Sequence, residues 1–124
     1  MEYTLIRNGL LIDGTGAQPA EKAAVLIGDN KILDAGPEAK IKLPEGEITE
    51  VDARGGTILP GFIDTHVHLM MEKYDMMDAI STPFSFNFYR AMDYFRRTIL
   101  SGVTTVRDAG GMDLGTKMAI EKGL

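Results

Sequence analysis

Apolar and polar positions alternate over short distances in the first sixty residues of the chain. Short apolar runs are separated by Gly, Asn, Asp and Pro, a pattern typical of β-strands joined by turns. The predicted strands cover residues 3–7, 10–13, 24–27, 31–35 and 48–51. In "VLIGDNKIL" the residues Gly28, Asp29 and Asn30 tolerate a positive φ angle between two apolar arms, which predicts a hairpin.

The pattern changes at Pro60-Gly61, beyond which strand-like and helix-like runs alternate. "GFIDTHVHL" has β-branched residues and a period of two, so it is predicted as a strand, and a loop is expected from Met70 to Phe84. In "SFNFYRAMDYFRRTILSG" apolar side chains recur at helical spacing, and Gly102 is placed to end the helix. "VTTV" then predicts a strand, "RDAGG" a turn and "LGTKMAIEKG" a second helix. A strand-helix-strand order of this kind builds parallel sheets or barrels.

The segment "LPGFIDTHVHL" carries His66 and His68, the two histidines of the sequence. Residues two apart in a strand point to the same face, so Phe62, Asp64 and both histidines are expected on one side. Two imidazoles spaced in this way can reach one metal ion. The alternative is that they are ordinary polar residues at a strand end, hydrogen-bonded or solvated. Two ligands alone do not complete a catalytic zinc site, which normally has three from the protein.

Composition and charge narrow the functions that the chain can have. The 124 residues are 44% hydrophobic and 25% charged with no cysteine, which indicates a globular protein and leaves histidine, carboxylates and modified lysine for metal chemistry. The formal net charge of -5, without a basic patch, argues against nucleic acid as a partner. No apolar run approaches the roughly 20 residues that span a bilayer and no export signal is visible, so the sequence predicts a cytoplasmic protein without a membrane partner.

Five segments, in order, resemble the amidohydrolase superfamily of metal-dependent hydrolases. "ILPGFIDTHVHL" is similar to the first strand of their (β/α)8 barrel, and "SGVTTVRDAGG" is similar to the second, most of all in imidazolonepropionase-like and Xaa-Pro dipeptidase-like members. "IRNGLLIDGTG", "VLIGDNKILDAGP" and "VDARGGTILPG" resemble the small β-sandwich domain that precedes the barrel. The resemblance implies an α/β fold with a β-rich N-terminus. Residues 1–59 would be part of the sandwich, and residues 60–124 would be the first two β/α units of the barrel.

The resemblance also implies a metal centre and a reaction. His66 and His68 correspond to the ligand pair of the more buried metal in a centre of one or two divalent ions. Zinc is first among the candidates, although imidazole also accepts manganese, iron or cobalt. The other ligands and the catalytic base belong to later strands, so no catalytic residue is assigned within this chain, which is expected to be an inactive N-terminal part of the enzyme. The implied activity is hydrolysis of an amide or peptide-like C–N bond in a small-molecule or dipeptide-like substrate.

Two carboxylates and one loop are further candidates for the site. Asp64 either orients a ligand histidine or is a structural acid, and Asp108 either faces the substrate or caps the turn after its strand. The Met-rich loop after Leu69 suits an adaptable pocket wall, although methionine clusters also serve packing.

A function of another class is also open, namely a non-catalytic β-rich binding or oligomerisation module derived from an amidohydrolase. Under either function, the chain contains an open part of a barrel with unpaired strand edges and apolar faces. The sequence therefore predicts homo-oligomers or association with the missing C-terminal segment.

Overall fold

The computed structural model describes residues 2–71 and 75–124, which form two compact units that divide after Pro60. Each unit has its own sheet. Within the described residues, no helix combines the length and the apolar composition needed to cross a membrane.

The first unit is built on one mixed sheet. Its five strands are β1 (Tyr3–Leu11), β2 (Ala20–Gly28), β3 (Lys31–Pro37), β4 (Ile48–Asp52) and β5 (Thr57–Ile58), with a single 3₁₀ turn at Glu38–Lys40. The strand order is β3-β2-β1-β4, and β5 also pairs with β1. Neighbours β1, β2 and β3 are antiparallel, whereas β4 and β5 run parallel to β1.

One continuous strand, β1, replaces the two strands that the sequence predicts at residues 3–7 and 10–13. Asn8 has a φ of 58°, and the pairing register of β1 with β2 shifts between Ile6 and Gly9, so Asn8 lies in a β-bulge rather than in a turn. The backbone carbonyl of Asn8 accepts a hydrogen bond from Gly55 N–H at 2.8 Å. The dipeptide Asn8-Gly9 resembles a turn signal, but it is held in the strand by Gly55, which is distant in sequence.

The hairpin predicted around Gly28 to Asn30 is confirmed. Gly28 pairs with Lys31 across β2 and β3, which leaves Asp29 and Asn30 as a two-residue turn. Asp29 has a φ of 51°, the left-handed conformation that this kind of turn requires. Its carboxylate accepts a hydrogen bond from Glu2 N–H at 2.8 Å and its own N–H donates to the carbonyl of Glu2, so the turn is also tied to the chain before β1.

Both faces of this sheet are apolar. On one face Leu5, Ala24 and Leu26 are buried together, with Ile41 and Ile48 packed against them. A second cluster contains Leu11, Ala23 and Val25, and the residues packed against it include Ile58. The continuous apolar run of β2 is explained by this arrangement, because a strand buried on both faces needs no polar alternation.

Asp52 fastens the bulge of β1 to the turn that follows β4. One oxygen, Oδ1, accepts hydrogen bonds from Arg54 N–H at 2.7 Å and from Asn8 Nδ2 at 2.9 Å. The bond from the Arg54 backbone, followed by the bond from Asn8 and the nearby Arg7 guanidinium, holds the pKa of the Asp52 carboxyl below its ordinary value of 3.8. The charged form of Asp52 is therefore favoured in the folded protein.

The hydrogen bonds that the Asp52 carboxylate accepts predict that the stability of the folded chain depends on pH. Because the folded pKa of Asp52 lies below the unfolded value, its contribution is present above the unfolded pKa and is lost as the pH falls through the folded pKa. We expect the urea midpoint of the wild-type chain to fall more steeply below about pH 4 than that of Asp52→Asn. Urea titrations monitored by circular dichroism measure this, with Glu21→Gln as an exposed charge-loss control. Parallel pH profiles for wild type and Asp52→Asn would contradict the assignment.

The second unit has the predicted order of strand, helix, strand and helix, with one additional short helix before the first predicted helix. Strands β6 (Phe62–Val67) and β7 (Val103–Asp108) pair in parallel and are connected through α1 (Met76–Ser81) and α2 (Phe84–Leu100), and α3 (Leu114–Glu121) follows β7. Helix α2 packs against β7. The helix ends as predicted, because Gly102 has a φ of 90° and its N–H donates to the carbonyl of Ile99 at 2.9 Å.

Helix α1 lies where the sequence predicts only a loop, from Met70 to Phe84. Asp75 is its N-cap, and its carboxylate accepts hydrogen bonds from Met77 N–H at 2.9 Å and from Asp78 N–H at 3.3 Å. A capping aspartate before a helix of only six residues is a weak signal in an otherwise Met-rich segment, so the sequence pattern does not reveal this helix. Residues 72–74 of the predicted loop lie outside the described residues.

Candidate metal centre

His66 and His68 lie at the carboxyl end of β6. His66 is within the strand and exposed, and His68 follows its last residue and is half-buried. The centroids of the two imidazole rings are 5.2 Å apart, and the ring planes meet at 73°. The two rings therefore lie on the same side of this segment.

The distance between the rings fits two ligands of one ion. An imidazole nitrogen lies about 2.0 to 2.1 Å from zinc, which places two ligating ring centres about 5 Å apart when the angle at the metal is tetrahedral. The observed centroid separation of 5.2 Å agrees with that value. A divalent ion is thus compatible with this pair of side chains.

A backbone carbonyl fixes the orientation of the His68 ring. The Nδ1 of His68 lies 2.9 Å from the carbonyl oxygen of Gly110, in the turn after β7. Because a carbonyl oxygen only accepts, the proton of the neutral ring is on Nδ1, and its lone pair is on Nε2. Metal-bound histidines commonly donate their second ring nitrogen in this way, which sets both the tautomer and the direction of the ring.

The carboxylate of Asp108 bonds to backbone amides on both strands. Its Oδ2 accepts from Leu69 N–H at 2.9 Å, and its Oδ1 accepts from Gly110 N–H at 2.8 Å, with a longer contact of 3.5 Å from Met112 N–H. The structure thus places Asp108 as the cap of the turn after β7, one of its two predicted roles. A direct role of Asp108 toward a substrate stays a prediction.

Asp64 contacts the backbone of the histidine segment. Its Oδ1 accepts a hydrogen bond from His66 N–H at 3.0 Å. The side chain is thus tied to the strand that carries it, and the pairing of β6 with β7 is irregular between Asp64 and Val67. The orienting role predicted for Asp64 would act through this amide and would set the path of the backbone at His66.

Gly110 is the residue of this site that sequence reasoning missed. Its carbonyl holds the His68 ring and its N–H binds Asp108, but neither group is a side chain. The available signal is the aspartate two residues before a glycine in "RDAGG", a spacing typical of a turn in which a side chain caps a backbone amide.

The described residues do not supply a complete metal site. Among residues 2–71 and 75–124, no group of three or more His, Cys, Asp or Glu side chains is arranged to hold an ion. Of the loop methionines, Met70 is buried and Met77 is exposed, and the role of this loop as a pocket wall stays a prediction.

A family profile described as the amidohydrolase family matches residues 57–124, which include β6, both histidines and β7. The match covers more than half of the chain, and the chain belongs to the amidohydrolase family. The resemblance inferred from the five sequence segments is therefore confirmed.

Several relatives are similar to this chain over most of its length and are themselves much longer. An enamidase from Eubacterium barkeri is 28% identical over 111 residues, covering 89% of this chain and 26% of the enamidase. An imidazolonepropionase from Haloarcula marismortui is 31% identical over 104 residues, covering 82% of this chain and 24% of the relative. The crystal structure of a Xaa-Pro dipeptidase with bound methionine in its active site is 32% identical, with a TM-score of 0.80 over 98% of this chain and 30% of that one.

The chain thus spans about a quarter of the length of these two curated relatives. The likeness to solved amidohydrolase structures includes residues of both units of this chain. The predicted fold class, a β-rich N-terminal part of a sandwich followed by the first two β/α units of a (β/α)8 barrel, is confirmed.

Proposed function

We propose that this chain provides the first metal-ligand pair of a metal-dependent hydrolase that cleaves an amide or peptide-like C–N bond. The observation that carries the proposal is the geometry of His66 and His68, whose rings lie 5.2 Å apart on one side of the segment at the end of β6, with Nδ1 of His68 held by Gly110. The names of the relatives support the bond type, because an enamidase, an imidazolonepropionase and a Xaa-Pro dipeptidase are among them.

A bound divalent ion would supply a Lewis acid that polarises the scissile carbonyl and makes water a stronger acid. His66 and His68 would hold that ion and take no part in proton transfer. The carbonyl of Gly110 keeps the proton of the neutral His68 ring on Nδ1, and Nε2 is the ligating atom in this proposal. Zinc is the first candidate, and manganese, iron and cobalt also suit imidazole ligands.

Hydrolysis should appear when the chain is combined with a segment of a relative that supplies the later barrel strands. A panel of dipeptides and N-acyl amino acids would be assayed for carboxylate and amine products. We expect turnover that a chelator removes and that Zn²⁺, Mn²⁺ or Co²⁺ restores, and no turnover by the chain alone. A folded, metal-loaded assembly that cleaves none of these C–N bonds would favour a non-catalytic module instead.

The second unit is also proposed to associate with other polypeptide through its apolar surface. Phe62 and Ile63 of β6 are 56% and 68% exposed, and Ile99 and Leu100 at the end of α2 are exposed as well. In a closed barrel such side chains are covered by neighbouring strands and helices. We propose that the later barrel strands cover them and that further copies of the chain do so when those strands are absent.

This surface predicts self-association of the chain in isolation. We expect oligomers in light scattering, and an increase of the monomer fraction in Ile63→Lys, which places a charge on the exposed strand. Ile32→Lys in β3 of the first unit, at a side chain that is 70% exposed, is the matched control. A monodisperse monomer of the wild-type chain at high concentration would contradict the prediction.

A further inference from the structure

The end of β6 is attached to the end of β7 by a group of hydrogen bonds centred on His68. Val67 accepts from Ala109 N–H at 2.8 Å, and the ring of His68 donates to Gly110 at 2.9 Å. The N–H of Leu69 donates to Asp108 Oδ2 at 2.9 Å. At the end of β6, Val67, His68 and Leu69 are thus bonded to Ala109, Gly110 and Asp108, respectively, at the end of β7.

Asp108 differs from the other members of this group because its side chain bonds to both strand ends. One carboxylate oxygen takes the amide that follows His68, and the other takes the amide of Gly110, whose carbonyl holds the ring. A carboxylate has acceptor capacity on both oxygens, whereas an asparagine has one acceptor oxygen and an NH₂ group that repels a backbone N–H. The charge also strengthens both bonds.

From this arrangement we infer that Asp108 is a positioning residue that selects the tautomer and direction of the His68 ring through the Gly110 peptide. The inference rests on the proposed function, in which Nε2 of His68 is a metal ligand. Asp108 does not touch the ion or the substrate in this role. It holds the turn so that the Gly110 carbonyl faces Nδ1 at hydrogen-bond distance.

The tautomer is measurable without metal and without activity. The ¹⁵N chemical shifts of the imidazole, recorded at a pH where the ring is neutral, distinguish a proton on Nδ1 from one on Nε2. For the wild-type chain we expect the Nδ1–H form of His68 to dominate. In Asp108→Asn we expect a mixture of the Nδ1–H and Nε2–H forms of His68. We also expect the Zn²⁺ affinity, measured from the same ¹⁵N signals, to be about 10- to 100-fold weaker than in the wild-type chain.

Asp113→Asn is the matched control. Asp113 is the N-cap of α3, and its carboxylate accepts from two backbone amides, those of Gly115 and Thr116. The same substitution there removes the same charge from another carboxylate that accepts from two backbone amides, and asparagine is an equally good N-cap. The tautomer of His68 and the Zn²⁺ affinity should stay at their wild-type values in this variant.

A second measurement covers the case in which Asp108→Asn does not fold. Hydrogen-bond couplings in the wild-type chain should connect the amide nitrogens of Leu69 and Gly110 to the Asp108 carboxylate carbon. A wild-type His68 with its proton on Nε2, or the absence of both couplings, would overturn the inference, as would a folded Asp108→Asn with an unchanged tautomer. The Nδ1–H form without any Zn²⁺ binding would support the role of Asp108 and count against the proposed metal centre instead.

Discussion

Alanine at His66 or His68 should abolish most of the metal-dependent hydrolysis of the assembled barrel. Each substitution removes one of the two ligands whose rings lie 5.2 Å apart. Loss of a correctly held ion forfeits several kcal/mol of transition-state stabilisation, so we expect turnover to fall by roughly 10³-fold. Initial rates at a fixed concentration of Zn²⁺, with the chain combined with the later barrel strands, measure this effect.

The dependence on metal concentration separates a ligand role from a structural one. If each histidine binds the ion, part of the lost rate should return at higher Zn²⁺, because the remaining ligands still form a weaker site. Tyr89→Ala in α2 is the control, since it also removes an exposed ring, at a side chain 77% exposed. Wild-type turnover by either histidine variant, at the Zn²⁺ concentration that the wild-type chain needs, would contradict the role of the two histidines as metal ligands.

The second large effect is expected in the core of the first unit. Leu26 is only 4% exposed and packs with Leu5 and Ala24 on one face of the sheet. Leu26→Ala should lower the free energy of unfolding by about 2–5 kcal/mol, through lost burial and the cavity that remains. A unit of this size has a total stability of only about 3–5 kcal/mol, so the variant should be largely unfolded.

Leu33→Ala in β3 is the matched control, because the same side-chain atoms are removed at a position that is 49% exposed. Its effect on the free energy of unfolding should stay within about 0.5 kcal/mol. Urea titrations of both variants, monitored by circular dichroism of the β-sheet, give the comparison. Equal midpoints would show that the cluster around Leu26 does not carry the stability of the unit.

Local signals were sufficient for the elements that depend on neighbouring residues. The Asp29-Asn30 turn needs a residue that tolerates a positive φ angle, and the end of α2 needs a glycine at position 102. Both requirements are visible within a few residues of sequence. The common side of His66 and His68 was likewise predictable from the period of a strand, although His68 lies one residue beyond the end of β6.

Interactions between distant segments were not predictable in the same way. The bulge at Asn8 depends on Asp52 and Gly55, and its local sequence resembles a turn. The acceptor for His68 is a backbone carbonyl, and every residue has one, so no residue type marks Gly110 as the partner. The metal role of the histidines stays a prediction for a related reason, because a ligand set is a property of the whole barrel.

The hydrogen bond between His68 and Gly110 joins residues that are 42 positions apart. The intervening chain contains all of α1, α2 and β7, so this bond can exist only after the crossover has returned the second strand to the side of the first. The protonation site of one imidazole therefore reports on the folding of the entire crossover. Followed during refolding, that ring signal would show when the first ligand pair acquires its final geometry, before any ion is added.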